Sequence, residues 1–183
     1  MIGNDIVDLQ IAKQQSNWLR KGFLEKQFTK QEQNEILNAK NPHTHVWLLW
    51  SMKEAAYKCY VQEYQQRFFN PKKFNCSSVS QTKGLVSIHE HNYYTESTVT
   101  SRYIHTIAFC RQNTKSKKEL FLIKEKENQS AIIKSKLLSS FSEKMILKKN
   151  GVGIPYLYLN EEEQKISFSI SHHGNYGAFV ILK

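Results

Sequence analysis

The apolar positions of this chain follow a period that changes along its length. Residues 2–9 (IGNDIVDL) form a short run rich in Ile and Val, which predicts a strand with Asp5 and Asp8 set into an otherwise apolar stretch. An acid in a buried strand needs a partner or a metal, because an unpaired buried charge is very costly. Residues 16–28 are apolar at 18, 19, 23, 24 and 28, a helical stripe with Arg20, Lys21 and Lys26 beside it. Thr29 followed by Glu32 makes a capping-box pattern and predicts a new helix, ended by Asn41-Pro42. The longest helical signal runs from about His45 to Tyr64, where Trp47, Trp50, Ala55, Tyr57 and Val61 recur at near-helical spacing without Gly or Pro.

Beyond a break at 67–75 the period shortens to two. Segments 85–91, 97–110 and 119–125 alternate as antiparallel strands do. Residues 130–148, apolar at 133, 137, 141 and 145, predict an amphipathic helix. Gly151, Gly153 and Pro155 then punctuate the chain before a predicted hairpin of IPYLYL and KISFSIS with NEEEQ at its tip, and GAFVILK forms a last strand. No repeat, low-complexity tract or linker divides the 183 residues, which read as a single domain. The fold class that follows is α+β, an antiparallel sheet packed against a long central helix.

Composition narrows the function classes. Hydrophobic residues at 40% and aromatics at 12% supply a core and exclude wholesale disorder. No apolar run approaches the roughly 20 residues of a membrane helix. The opening MIGNDIVDL has acids where an export leader would carry lysines. Three widely spaced cysteines, Cys59, Cys76 and Cys110, fit reduced thiols of a cytoplasmic protein better than a disulfide framework. The balance of 26 Lys+Arg against 16 Asp+Glu, a net of +10, favours an acidic partner: nucleic acid, anionic lipid or an acidic protein. Charge alone does not choose among these, and it also serves plain solubility. Fourteen of the acids are Glu; the two aspartates, Asp5 and Asp8, both lie in the first eight residues and mark the N-terminal strand for attention.

Glu54 and Lys58, at i and i+4, project from one face of the central helix. Such a pair is most often an ordinary surface ion pair, but Trp47, Trp50 and Tyr57 imply that much of this helix is buried. If Asp5 at the strand end faces Glu54, the two carboxylates form a hard oxygen site suited to Mg²⁺, which takes one or two carboxylates plus substrate phosphates. Lys58 would then stand beside those phosphates as a point charge. His43-x-His45 and His89-x-His91 lack a completing Cys or carboxylate cluster and read as strand or loop histidines. SISHHGNYGA at 169–178 gathers Ser, His and Gly at a strand end, where amides and an imidazole can hold a phosphate or simply form a turn. GVGIP at 151–155 has the spacing of neither GxGxxG nor a P-loop.

Taken together, IGNDIVDL at 2–9, WSMKEAAYK at 50–58 and ISFSISHHGNYGAFVI at 166–181 resemble, in that order, the motifs of the 4′-phosphopantetheinyl transferase superfamily. The N-terminal GNDIVDL, with FLEKQFT at 23–29 after it, is most similar to the short, holo-acyl-carrier-protein synthase type. WLLWSMKEAAYK also has the tryptophans of the longer type that activates peptide synthetases. The resemblance implies Mg²⁺-dependent transfer of 4′-phosphopantetheine from coenzyme A to a serine of an acidic acyl or peptidyl carrier protein. It implies Asp5 and Glu54 as metal ligands, Glu54 and Lys58 as catalytic groups, and Lys58, Ser171, His172 and Pro155 as contacts to coenzyme A. Arg20, Lys21 and Lys26 then form the candidate docking face, and the net charge needs neither nucleic acid nor membrane. Asn4 replaces an apolar residue common before the first Asp, Gly177 stands where Ala is usual, Asp8 matches a position usually occupied by Glu and is given no role, and the strand-rich region 76–128 reads as an insertion. One copy of each motif per chain implies a homo-oligomer, a trimer by analogy, with sites at subunit interfaces. The rival reading is a non-catalytic basic module that binds nucleic acid or an acidic protein.

Overall fold

The computed structural model describes the chain except for residues 69, 79, 81, 125–127 and 142–143, and gives the backbone alone at 78. Parts of the segments predicted at 119–125 and 130–148 therefore lie outside the described residues. The described elements are α+β, with antiparallel pairing throughout the sheets and one helix much longer than the rest.

Strand β1 (Ile2–Asp8) is buried on both sides, which explains why its sequence reads as a nearly continuous apolar run. Asp8 ends it by accepting the backbone N–H groups of Gln10 and Ile11, and so starts α1 (Leu9–Gln15), a helix the periodicity did not show. The helical stripe predicted over 16–28 is mostly turn. Gly22, in the left-handed region at φ 82°, leads into only five residues of helix, α2 (Phe23–Gln27). Helix α3 (Lys30–Asn38) carries the predicted capping box, with Glu32 accepting the Thr29 N–H and the Thr29 hydroxyl accepting that of Glu32. Asn41-Pro42, taken as a stop, is also a start: Asn41 caps and Pro42 opens α4 (Pro42–Tyr64), where a missing N–H is harmless.

Helix α4 lies on a five-stranded sheet of order β1-β5-β4-β3-β2, with β2 (Asn75–Ser78), β3 (Lys83–Ile88), β4 (His91–Val99) and β5 (Tyr103–Phe109). Val46, Leu49, Met52, Ala55, Ala56 and Cys59 of α4 pack against Val86, Ile88, Tyr93, Ile104 and Ala108 of the sheet. The run at 97–110 divides at Thr100, whose hydroxyl accepts the N–H groups of Arg102 and Tyr103 and turns β4 into β5. Strand β6 (Ser116–Leu122) joins a second sheet, β10-β11-β6, with β10 (Phe168–His173) and β11 (Tyr176–Leu182). Region 76–128 thus supplies the strand against which β1 pairs and an edge of the second sheet.

Helix α5 (Gln129–Leu138) is shorter than predicted, and Ile146–Lys149 is a strand, β7. The predicted hairpin of IPYLYL with KISFSIS does not form. Strand β8 (Pro155–Leu159) turns at Asn160 and Glu161, both at positive φ, into β9 (Glu162–Gln164), while β10 pairs with β11. The third sheet, β7-β8-β9, and α5 share a small core around Leu137, Leu157, Phe168 and Phe179.

One charged pair anchors α4 from its far side. Lys53 is 2% exposed and Glu32 1%. Lys53 Nζ donates to Glu32 Oε2 at 2.7 Å and to the carbonyls of Pro71 and Gln27 at 3.0 and 3.2 Å. Glu32 also accepts the Cys76 N–H, so the pair joins α3, α4, the turn at 71–73 and β2. Removing one partner leaves the other buried and charged, and Lys53→Ala is expected to cost about 3–5 kcal/mol of stability. Urea unfolding checks this against Lys134→Ala, an exposed site expected to stay within about 0.5 kcal/mol of wild type.

Candidate active site

The site is built where β1 crosses α4. Backbone groups of Ile2 and Asn4 on the edge of β1 away from β5 meet side chains. The Ile2 and Asn4 N–H groups donate to the hydroxyls of Ser167 and Ser169, and that of Asp8 donates to His173 Nδ1. The Ile2 carbonyl accepts Gln62 Nε2 at 2.9 Å and the Asn4 carbonyl accepts Lys58 Nζ at 2.7 Å. Glu54, Lys58 and Gln62, each four residues apart, are therefore one face of α4 laid along β1. A side chain at Gly3 would run into the Ala55 carbonyl, so only glycine lets the strand approach so closely.

Asp5 sits under this face. Its Oδ1 lies 3.4 Å from Lys58 Nζ, while its Oδ2 is buried with no hydrogen-bond partner. Burial raises the Asp5 pKa, with Lys58 opposing. Glu54 is pushed up to about 7, by burial first and then by the negative charge of Asp5, again against Lys58. The two carboxylates are thus electrostatically coupled in a half-buried place. Among the described residues no group of three or more His, Cys, Asp or Glu side chains forms a metal cluster. A carboxylate pair with an unpartnered buried oxygen does fit a Mg²⁺ ion that draws its other ligands from water and phosphate.

Beside these carboxylates opens a cleft of about 240 Å³. Glu54, Lys58, Ser169 and Ile170 line it together with Arg67, Lys149, Gly153 and Pro155. Gly153, at φ 75°, leaves room that a side chain would take from the Arg67 guanidinium. Within one copy of the chain, α4 and the β10 tract both contribute to this cleft. Of the residues singled out in the sequence, Glu54, Lys58 and Pro155 line the cleft, with Asp5 beneath.

Ser171 and His172 do not line it. Ser171 is buried, and its hydroxyl accepts Asn4 Nδ2 at 2.9 Å. His172 is exposed and bonds to Gln129 at 2.9 Å. Its pKa is lowered, by partial burial first and then by the positive charge of Lys58. Asp8 has a structural job: besides capping α1 it accepts the backbone and side-chain N–H groups of Asn175, tying the β10–β11 turn to β1.

A model of the 4′-phosphopantetheinyl transferase superfamily matches residues 1–110, which include Asp5, Glu54 and Lys58. The chain belongs to that superfamily. Among solved structures it is similar to the holo-[acyl-carrier-protein] synthase of Thermotoga maritima, with 10% identity, coverage of 88% of this chain and 83% of that one, and a TM-score of 0.47. No curated protein matches the sequence. The family match stops before Lys149, Gly153, Pro155 and Ser169, so part of the cleft lining comes from this chain's unmatched part.

Sequence reasoning missed Arg67, Lys149, Ser169 and Gln62. Gln62 was within reach, one further step of four after Glu54 and Lys58. Arg67 and Lys149 were two among 26 basic residues, and no local pattern set them apart.

In metal-free protein the raised Glu54 pKa has a definite sign. The folded state holds the proton more tightly than the unfolded one, whose value lies near 4.5, so this contribution is complete below that pH and is lost as pH rises through about 7. Glu54→Gln removes the loss. In chelator, its stability relative to wild type is expected to rise between about pH 5 and about pH 8, by at most roughly 3 kcal/mol. Urea midpoints of the two proteins at both pH values check it; an unchanged difference would disprove the coupling.

Proposed function

We propose that the protein transfers 4′-phosphopantetheine from coenzyme A to a serine of an acidic acyl or peptidyl carrier protein, with 3′,5′-ADP leaving. The observation that carries this reading is the pair Asp5 and Glu54, both held above the usual carboxylate range beside Lys58, in a cleft whose other cations are Arg67 and Lys149. Asp5 and Glu54 would hold Mg²⁺. When bound, the ion neutralises charge on the pyrophosphate of the donor. Glu54 would accept the proton of the attacking serine, directly or through a water. Lys58, anchored on the Asn4 carbonyl, provides fixed positive charge where negative charge develops. Arg67 and Lys149, which also line the cleft, supply further cations for phosphate oxygens. Ser169 and the Gly153–Pro155 turn shape the remainder of the cleft.

The carrier would dock on the turn that joins α1 to α2. Leu19 there is 70% exposed, and Arg20, Lys21 and Lys26 around it are exposed as well. An apolar contact ringed by cations suits an acidic helix better than a nucleic-acid backbone. The non-catalytic module has no use for two costly carboxylates at the mouth of a cationic cleft.

The deciding assay mixes the protein, coenzyme A, Mg²⁺ and an apo carrier protein and reads the carrier's mass. The expected result is a gain of one phosphopantetheine arm, abolished by chelator and lowered at least roughly a hundredfold by Asp5→Ala or Glu54→Ala. Turnover near wild type in either folded variant would remove the assigned roles. Charge reversal at the docking turn separates binding from chemistry. Arg20→Glu with Lys21→Glu is expected to raise KM for the carrier at least roughly tenfold, with a smaller change in kcat and a weaker dependence on salt.

A further inference from the structure

Two cysteines outside the cleft are placed against each other by elements that their sequence positions do not connect. Cys59 lies on the sheet-facing side of α4, fully buried, with its Sγ 3.2 Å from the Ala108 carbonyl on β5. Cys110 follows two residues later, just past the end of β5, and is partly exposed. It packs on the same core cluster as Cys59. Its Sγ lies 3.9 Å from Glu63 Oε2, and Glu63 is one helical turn beyond Cys59 on α4. Cys110 thus lies beside the turn of α4 that carries Cys59 and Glu63. Glu63 is itself fixed by the Tyr93 hydroxyl, which donates to it at 3.1 Å.

We propose that Cys59 and Cys110 are a thiol-modification site, a dithiol that a small hydroperoxide converts to a disulfide stapling α4 to β5. The accessible member reacts first and the buried member resolves it. The Cys110 thiolate attacks one peroxide oxygen; the O–O bond breaks, water leaves with a proton taken from solvent, and Cys110 becomes a sulfenic acid. The sulfur of Cys59 then attacks that sulfur. An S–S bond forms, the S–O bond breaks, and a second water leaves with the proton of Cys59. In sum, two thiols and one hydrogen peroxide give one disulfide and two waters.

The two groups differ in exposure, which sets the order of the steps. Cys110 is partly exposed and lowered to about 7, chiefly by Cys59 and against the Glu63 carboxylate, which favours its reaction with peroxide. Cys59 is raised by burial, so bulky reagents do not reach it, and it gives up its proton only as it attacks the oxidised Cys110. Cys76, the third cysteine, is also buried but turns its sulfur to the Leu49 carbonyl on another side of α4, so it is a bystander. Because Cys59 adjoins Lys58, the staple locks α4 at the turn that carries this cation.

The test treats the reduced full-length protein with a few equivalents of hydrogen peroxide, blocks free thiols, and maps peptides without reductant. The expected product is a peptide pair joined through Cys59 and Cys110, two hydrogens lighter than the reduced pair and released by dithiothreitol, with Cys76 unoxidised. In Cys59→Ala, Cys110 is expected to stop at the sulfenic acid and be trapped by dimedone. If that core variant does not fold, Cys110→Ser provides the complement and should yield neither a linked peptide nor a dimedone adduct. Oxidation of wild-type Cys110 to sulfinic acid while Cys59 stays free overturns the proposal. So does an unreactive Cys110 under conditions that oxidise free cysteine.

Discussion

Everything at the site depends on how closely β1 approaches α4. A strand normally satisfies both edges with neighbouring strands, because an unpaired buried peptide group costs on the order of 1–3 kcal/mol. Here one edge of β1 pairs with β5, and on the other Ile2, Asn4 and Asp8 are satisfied by side chains: serines and a histidine from the β10 tract, and Gln62 and Lys58 from α4. Gly3 makes the contact sterically possible. The same contacts that complete the edge of β1 thereby bring Asp5 beneath Glu54 and seat Lys58 between them. Fold and site share one set of hydrogen bonds.

The residues that depart from the family pattern fit this arrangement. Asn4, where an apolar residue is common, donates its amide to the Ser171 hydroxyl and meets His105 Nε2 at 3.3 Å. His105 is pushed down to about 4, by burial first and then by Lys118 and Lys58, so it remains neutral and able to accept that amide. Ser171 is thereby committed to a structural bond, while Ser169, two residues earlier on the same strand, reaches the cleft. Asp8 likewise serves as helix cap and turn anchor, a use for which a short carboxylate is well sized.

Charge in this protein is placed with unequal costs. The Lys53–Glu32 pair is fully buried, but each oxygen of Glu32 and the ammonium of Lys53 are surrounded by partners, so the pair acts as a fastening for α4. Asp5 and Glu54 are less buried yet poorly matched, with one orphan oxygen and mutual repulsion. Stability is given up where the cleft opens and recovered on the far side of the same helix. That asymmetry distinguishes the two pairs, and neither is visible as a pair in the local sequence.

The sequence by itself determined the long central helix, the capping box at Thr29, the strand at each end of the chain and the three charged residues Asp5, Glu54 and Lys58. These depend on local period, on capping chemistry and on residue type, all properties of a few neighbouring positions. It misplaced the pairing of IPYLYL and KISFSIS, the division of 97–110 into two strands, and the short helix after Asp8, because each depends on which partner a segment meets and not on its own pattern. Tertiary structure alone decided that Arg67 and Lys149 line one cleft with Glu54, that Ser171 turns inward to Asn4, and that Cys59 and Cys110 lie at one turn of α4. Those neighbours lie tens of residues apart, and only closure of the sheets around β1 brings them together.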